Sequence, residues 1–149
     1  MGAPFVGTAF DGPLISGDQR FRVGSTPANI GVADLVQQCT LTAGTVSALL
    51  SVPQQSMLLN FFVDTLIAFN SQTSAVVSVG ATNGATTYVQ SATVATTGRV
   101  IPTFTTAQLS AMLNVNSTTN VFATVTQVGT AATTGLAVVT MFYGQTTRG

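Results

Sequence analysis

The side chains able to do acid–base or nucleophilic chemistry are few: Asp11, Asp18, Asp34, Asp64 and the single Cys39. The cations are Arg20, Arg22, Arg99 and Arg148, and Lys, Glu, His and Trp are absent. General acid–base catalysis works best with a His, Glu or Lys tuned near the working pH. A Ser or Thr nucleophile needs such a base beside it, and only four Asp residues, far apart in sequence, are left for that task. The composition points away from an enzyme, and no cofactor is expected. "VGATNGATT" has glycines but lacks the Lys of a phosphate-binding loop, so it reads as a turn. Cys39, in "LVQQCTLTA", has no partner for an intrachain disulfide and no Lys or His to activate it. It reads as a small buried hydrophobe.

Binding chemistry is scarcely better supplied. "DGPLISGD" brings Asp11 and Asp18 into one loop, but without the dense oxygen-ligand spacing of a calcium loop, so two solvated carboxylates are expected and no metal. "NST" at 116–118 matches the N-glycosylation pattern, yet "MGAPFVGTAF" has neither the positive start nor the apolar run of a signal peptide. Its Val6 also fits a myristoylation motif poorly. The densest charged stretch is "GDQRFRVG", holding Asp18, Arg20, Phe21 and Arg22. It is either a solvated turn with a weak ion pair or a docking element, with the two Arg on one face and Phe21 on the other. Arg is favoured in interface cores. With Phe5 and Phe10, these four are the candidate partner contacts. Arg99 is either left exposed after the "TTG" turn or paired with Asp64 or with an interface carboxylate.

Charge sets the next bound. Only 5% of the 149 residues are charged and the formal net charge is zero, whereas typical domains are about 25% charged. A nucleic-acid binder needs a basic footprint, which four scattered Arg do not supply. No apolar run approaches the roughly 20 residues of a membrane helix. A surface this neutral is either a carpet of Thr and Ser hydroxyls, or covered by other subunits, or both.

The elements that carry these residues follow from their periodicity. Residues 1–34 hold six Gly, three Pro and three Phe along with five of the eight charges. That pattern breaks regular structure yet is too aromatic for a solvated tail. It predicts an extended arm with apolar anchors, preceding a β domain over 35–149. From Leu35 the pattern is β: "VQQCTLTA", "TVSALLSV", "SMLLNFFVDTLIAFN", "SAVVSVG", "TTYVQSATV" and "RVIPTF", the last held toward a sheet edge by Pro102. The third of these is apolar on both sides, with Leu59, Phe61 and Val63 on one and Leu58 and Phe62 on the other, so it is expected to be a central strand covered on both faces. "TNG" at 82–84 is a turn signal. "TTAQLSAML" is the one helix candidate, with a Thr105/Gln108 capping box and an apolar stripe of Leu109, Met112 and Leu113. "NVFATVTQV" and "LAVVTMFYG" read as a closing hairpin around the neutral loop "GTAATTG". The sum is an all-β antiparallel β-sandwich or jelly roll of seven to eight strands with one short helix.

The segments "TLIAFNSQTSAVVSVGATNG", "TVATTGRVIPTFTTAQLSAML" and "NVFATVTQVGTAATTGLAVVTMFYGQ" resemble the small β-sandwich structural proteins of tailed-bacteriophage virions, the capsid decoration (cement) and head-fibre-type proteins. The likeness spans roughly residues 52–145 and lies in the order of elements. It implies a non-enzymatic virion component, made in the host cytoplasm and bound to the capsid exterior. Its implied partner is the major capsid protein, with self-association as a homotrimer. A head-fibre, neck or tail component belongs to the same class, and the shell subunit itself ranks lower for want of basic charge. Outside that class stand a carbohydrate- or surface-binding module, for which Trp is absent and only Tyr88 and Tyr143 remain as the usual sugar platforms, and an ice-binding protein, for which the Thr-x-Thr pairs lack a regular repeat.

Overall fold

The computed structural model describes residues 21–23, 26–28, 33–115 and 120–145. Asp34–Thr146 is one compact unit. Strands β1 (Phe21–Val23) and β2 (Thr26–Ala28) belong to a separate unit and pair antiparallel, with Val23 opposite Thr26. Most of the arm expected over residues 1–34 lies outside the described residues.

The larger unit contains β3 (Ala33–Thr42), β4 (Ser47–Ser51), β5 (Ser56–Ile67), β6 (Ser74–Gly80), β7 (Val89–Thr93), β8 (Gly98–Val100), α1 (Thr106–Met112), β9 (Asn120–Val128) and β10 (Leu136–Gln145). They form two four-stranded sheets, ordered β3-β10-β5-β8 and β4-β9-β6-β7. The pairs β6–β7, β5–β8, β4–β9 and β3–β10 are nested in sequence, like one long hairpin rolled up until its ribbon closes into two sheets. That is the all-β sandwich in its jelly-roll form. β8, the strand before Pro102, lies at a sheet edge as its sequence requires.

The nesting corrects one expectation. β9 and β10 are not a hairpin: β9 pairs with β4 and β6, and β10 pairs with β5, in the opposite sheet. The loop between them crosses from sheet to sheet. Asn70 holds it, accepting from the backbone N–H of Thr133 (2.8 Å) and of Thr134 (3.0 Å) through Oδ1.

β5 departs from simple alternation. Its register with β10 jumps between Asn60 and Leu58, leaving Leu59 as the extra residue of a bulge. A bulge resets which residues face inward, so Leu58 joins Phe61 and Val63 in the core while Leu59 is exposed. The strand is therefore covered on one face only, with Phe62 and Asp64 on the other. Thr65 is 3% exposed and its hydroxyl has no hydrogen-bond partner. An orphaned buried hydroxyl costs stability, so Thr65→Val, nearly the same shape, is expected to stabilise the fold by about 1 kcal/mol. A shift of the urea midpoint to higher concentration checks this.

The helix forms where its capping box stands. Thr105 Oγ1 accepts from the Gln108 backbone N–H, and Gln108 Oε1 accepts from the Thr105 N–H. Gln108 also donates from Nε2 to the Thr86 carbonyl at 3.2 Å. These bonds fix the rotation of the helix so that Gln108 and Met112, one turn apart, face the core. Leu109 and Leu113, expected on the buried stripe, are instead 50% and 66% exposed.

Candidate functional site

The two sheets differ on their outer faces. On the β4-β9-β6-β7 sheet the loop after β6 folds back over the strands. Asn83 Oδ1 accepts from Ser47 Oγ on β4 at 3.0 Å and from Thr124 Oγ1 on β9 at 2.8 Å. The Gly84 N–H donates to Thr124 Oγ1 at 3.1 Å. The predicted turn at 82–84 is present, with Gly84 at φ +78°, and Asn83 serves as a neutral clasp. Gly80 lets the loop pass so close: a Cβ there would sit 2.5 Å from the Ala85 carbonyl oxygen.

On the β3-β10-β5-β8 sheet the outer face carries a cluster of four side chains. The register sets Asp64 opposite Arg99, and Arg99 donates from Nε and Nη2 to the two carboxylate oxygens at 2.6 and 2.8 Å. Of the alternatives open for Arg99, pairing with Asp64 is the one found. Its guanidinium lies over the Phe62 ring, 5.1 Å from the centroid, and Phe62 meets Phe142 edge-on at 5.0 Å. Beside the pair is a depression of about 490 Å³ bordered by Gln38, Leu66, Gly98 and Val138.

The electrostatics of this cluster are simple. The Arg99 hydrogen bonds hold the Asp64 carboxyl below its usual range, slightly opposed by burial. Asp64 therefore stays ionised at any ordinary pH, and what the pair adds to stability is lost only as pH falls through that depressed value. Cys39 behaves oppositely. Burial pushes its thiol from 9.0 up to about 11, against a backbone hydrogen bond at Val139 that lowers it. It is no nucleophile at neutral pH. In the unfolded chain the thiol ionises near its ordinary value, while the folded chain keeps the proton. Stability is therefore expected to fall as pH rises from about 9 to about 11, by roughly 2 kcal/mol from Cys39. Burial of Tyr88 raises its hydroxyl too and works in the same direction. Urea midpoints at neutral and alkaline pH check this, and Cys39→Ala should shrink the fall.

Of the candidate partner contacts, Phe21 and Arg22 lie on β1, with Phe21 opposite Ala28 and Arg22 opposite Pro27. Phe5, Phe10, Asp18 and Arg20 lie outside the described residues, as do Asp11 and the "NST" sequence. Among the described residues no three His, Cys, Asp or Glu side chains come together to hold a metal, and no helix is long and apolar enough to cross a membrane. The Phe62–Phe142 contact has no local signal in the sequence. Two-residue spacing puts Phe62 and Asp64 on one face of β5, but the partner ring comes from a strand 80 residues on.

No protein-family profile matches this chain, and no curated protein does. Solved structures do. A chain of the Cyanophage Pam1 capsid asymmetric unit is similar with a TM-score of 0.60 and 18% identity, over 90% of this chain and 99% of that one. A chain of the capsid of Ralstonia phage GP4 is similar with a TM-score of 0.50 and 16% identity, over 83% and 92%. At these identities the likeness is one of fold, and it extends over nearly the whole length of both neighbours.

Proposed function

We propose that this chain is a structural component of a tailed-phage virion, without catalytic activity, that binds the outer surface of the capsid and strengthens contacts between capsomers. The observation that carries this reading is the fold shared almost end to end with chains of two phage capsids. Composition supports it: only 5% of the chain's residues are charged and most of those charges lie in 1–34, so the body suits a surface that meets other subunits through neutral hydrogen bonds and apolar contact. The partner is the major capsid protein. The gripping element is the segment 1–34, with Phe5, Phe10, Asp18, Arg20, Phe21 and Arg22 as contacts. Self-association as a homotrimer would multiply modest contacts by avidity.

Co-sedimentation with purified capsid shells tests the reading. The full chain should pellet with shells in low and in high salt alike, because the three Phe anchors and the neutral hydrogen bonds, which are little screened, carry most of the grip and the charged contacts only add to it. The full chain carrying Phe5→Ala, Phe10→Ala and Phe21→Ala should stay in the supernatant. Failure of the unmodified chain to pellet, or its release by salt, would contradict the proposal. Light scattering on the free chain gives the oligomeric state, for which a trimer mass is expected.

A further inference from the structure

We propose that the depression beside Asp64 and Arg99 is a binding site for a neutral saccharide unit. The pair is held from both sides before any ligand arrives. The carboxylate is fixed by two Arg99 hydrogen bonds, at 2.6 and 2.8 Å. The guanidinium is fixed over Phe62, which Phe142 braces edge-on. Both groups still face solvent, with the Arg99 side chain 58% and the Asp64 side chain 23% exposed.

Their remaining hydrogen-bonding capacity defines the ligand. After the bidentate contact each carboxylate oxygen keeps an acceptor position, and Arg99 keeps three of its five N–H donors. Donors and acceptors thus stand side by side on a pair with no net charge. A hydroxyl is donor and acceptor at once, so two hydroxyls on neighbouring carbons satisfy both groups together. The Gln38 amide adds a further polar group at the margin, where its Nε2 donates to Thr140 Oγ1 at 3.0 Å. Leu66 and Val138 supply apolar wall for the C–H face of a ring. At Gly98 a Cβ would meet nothing within 4 Å, so the rim is open on that side. A depression of about 490 Å³ lies within the roughly 300–1,000 Å³ range of small-ligand sites.

Other ligand classes fit less well. An anion must compete with Asp64 for Arg99. A cation finds a single carboxylate that is already paired. A flat aromatic ligand finds the face of Phe62 occupied by the guanidinium. The inference stands on the folded body alone and is tested on the free chain, so it fails or survives apart from capsid binding.

The test is an amide-resolved NMR titration of the full chain with methyl glycosides of glucose, galactose and mannose, and with N-acetylglucosamine. Saturable shifts are expected for at least one of them, confined to Gln38, the Asp64–Leu66 stretch, Gly98, Arg99 and Val138. Asp64→Asn and Arg99→Gln should each weaken that sugar by about tenfold or more, the loss of a charged hydrogen bond. Both positions are on the surface, and unshifted core resonances will show that the variants fold. No saturable shift with any of the four sugars overturns the proposal, as do shifts centred elsewhere or variants that bind like the unmodified chain. So does tighter binding of glucose 6-phosphate than of every neutral sugar with Asp64→Asn improving it, since that marks an anion site on Arg99. If no sugar binds and Asp64→Asn abolishes capsid co-sedimentation, the cluster is a protein contact and the proposal is again wrong.

Discussion

Phe61→Ala is expected to destabilise the folded chain by about 3–5 kcal/mol, the usual cost of emptying a well-packed aromatic site. Phe61 is fully buried on β5, opposite Met141 of β10. Its ring stacks on Tyr88 at 6.3 Å between centroids and 19° between planes. Tyr88 precedes β7 and donates its backbone N–H to the Val79 carbonyl at 2.9 Å, so the ring pair joins one sheet to the other across the sandwich. Stacking adds about 0.5–1.5 kcal/mol beyond burial, and alanine removes it together with the packing. The apparent melting temperature should drop by on the order of 10 °C for a domain of this length. Chemical denaturation with coincident fluorescence and circular-dichroism transitions measures the loss. A change smaller than about 1 kcal/mol would mean that the two sheets do not pack through this ring.

The second large effect is expected from adding a single methyl group. In Gly80→Ala the new Cβ would stand 2.5 Å from the Ala85 carbonyl oxygen and 2.6 Å from its carbonyl carbon. These are backbone atoms, so no side-chain rotation relieves the overlap. The loop 81–87 has to lift, and with it the Asn83 contacts to Ser47 and Thr124. Overpacking of this kind costs about 1–3 kcal/mol, and the upper end applies because the clasp goes as well. Native-state hydrogen exchange should show the Gly84 amide, which donates to Thr124 Oγ1, losing protection while β5 and β10 keep theirs. Uniform loss across both sheets would instead place the loop in the global folding unit. A variant as stable as the parent would show that the close approach at Gly80 is not needed.

Much of this architecture is legible in the sequence because it rests on local rules. Alternation of Val and Thr marks the strands, Pro102 marks an edge, Thr105 with Gln108 marks the helix start, and Asn83-Gly84 marks a turn. What was not legible depends on partners far away in the chain. The bulge at Leu59 is invisible until β10 sets the register, and it exchanges Leu58 for Leu59 in the core. Hydrophobicity alone points the buried helix stripe through Leu109 and Leu113. The polar side chain of Gln108, tied to Thr86 across 22 residues, decides the rotation instead. Likewise "GTAATTG" looks like a hairpin loop, and only the nested pairing of β3 to β10 sends its flanks to different sheets. Asp64 with Arg99 was open to sequence reasoning as one pairing among several. The aromatic rings that hold the arginine in place were not.

The measurement that bears most directly on the central claim is the copy number of this chain in intact purified virions, by quantitative peptide mass spectrometry against the shell subunit. A capsid-bound structural component predicts a fixed ratio to the shell subunit, reproduced from one preparation to the next. Absence from the particles, or a trace that varies between preparations and washes away, would contradict it.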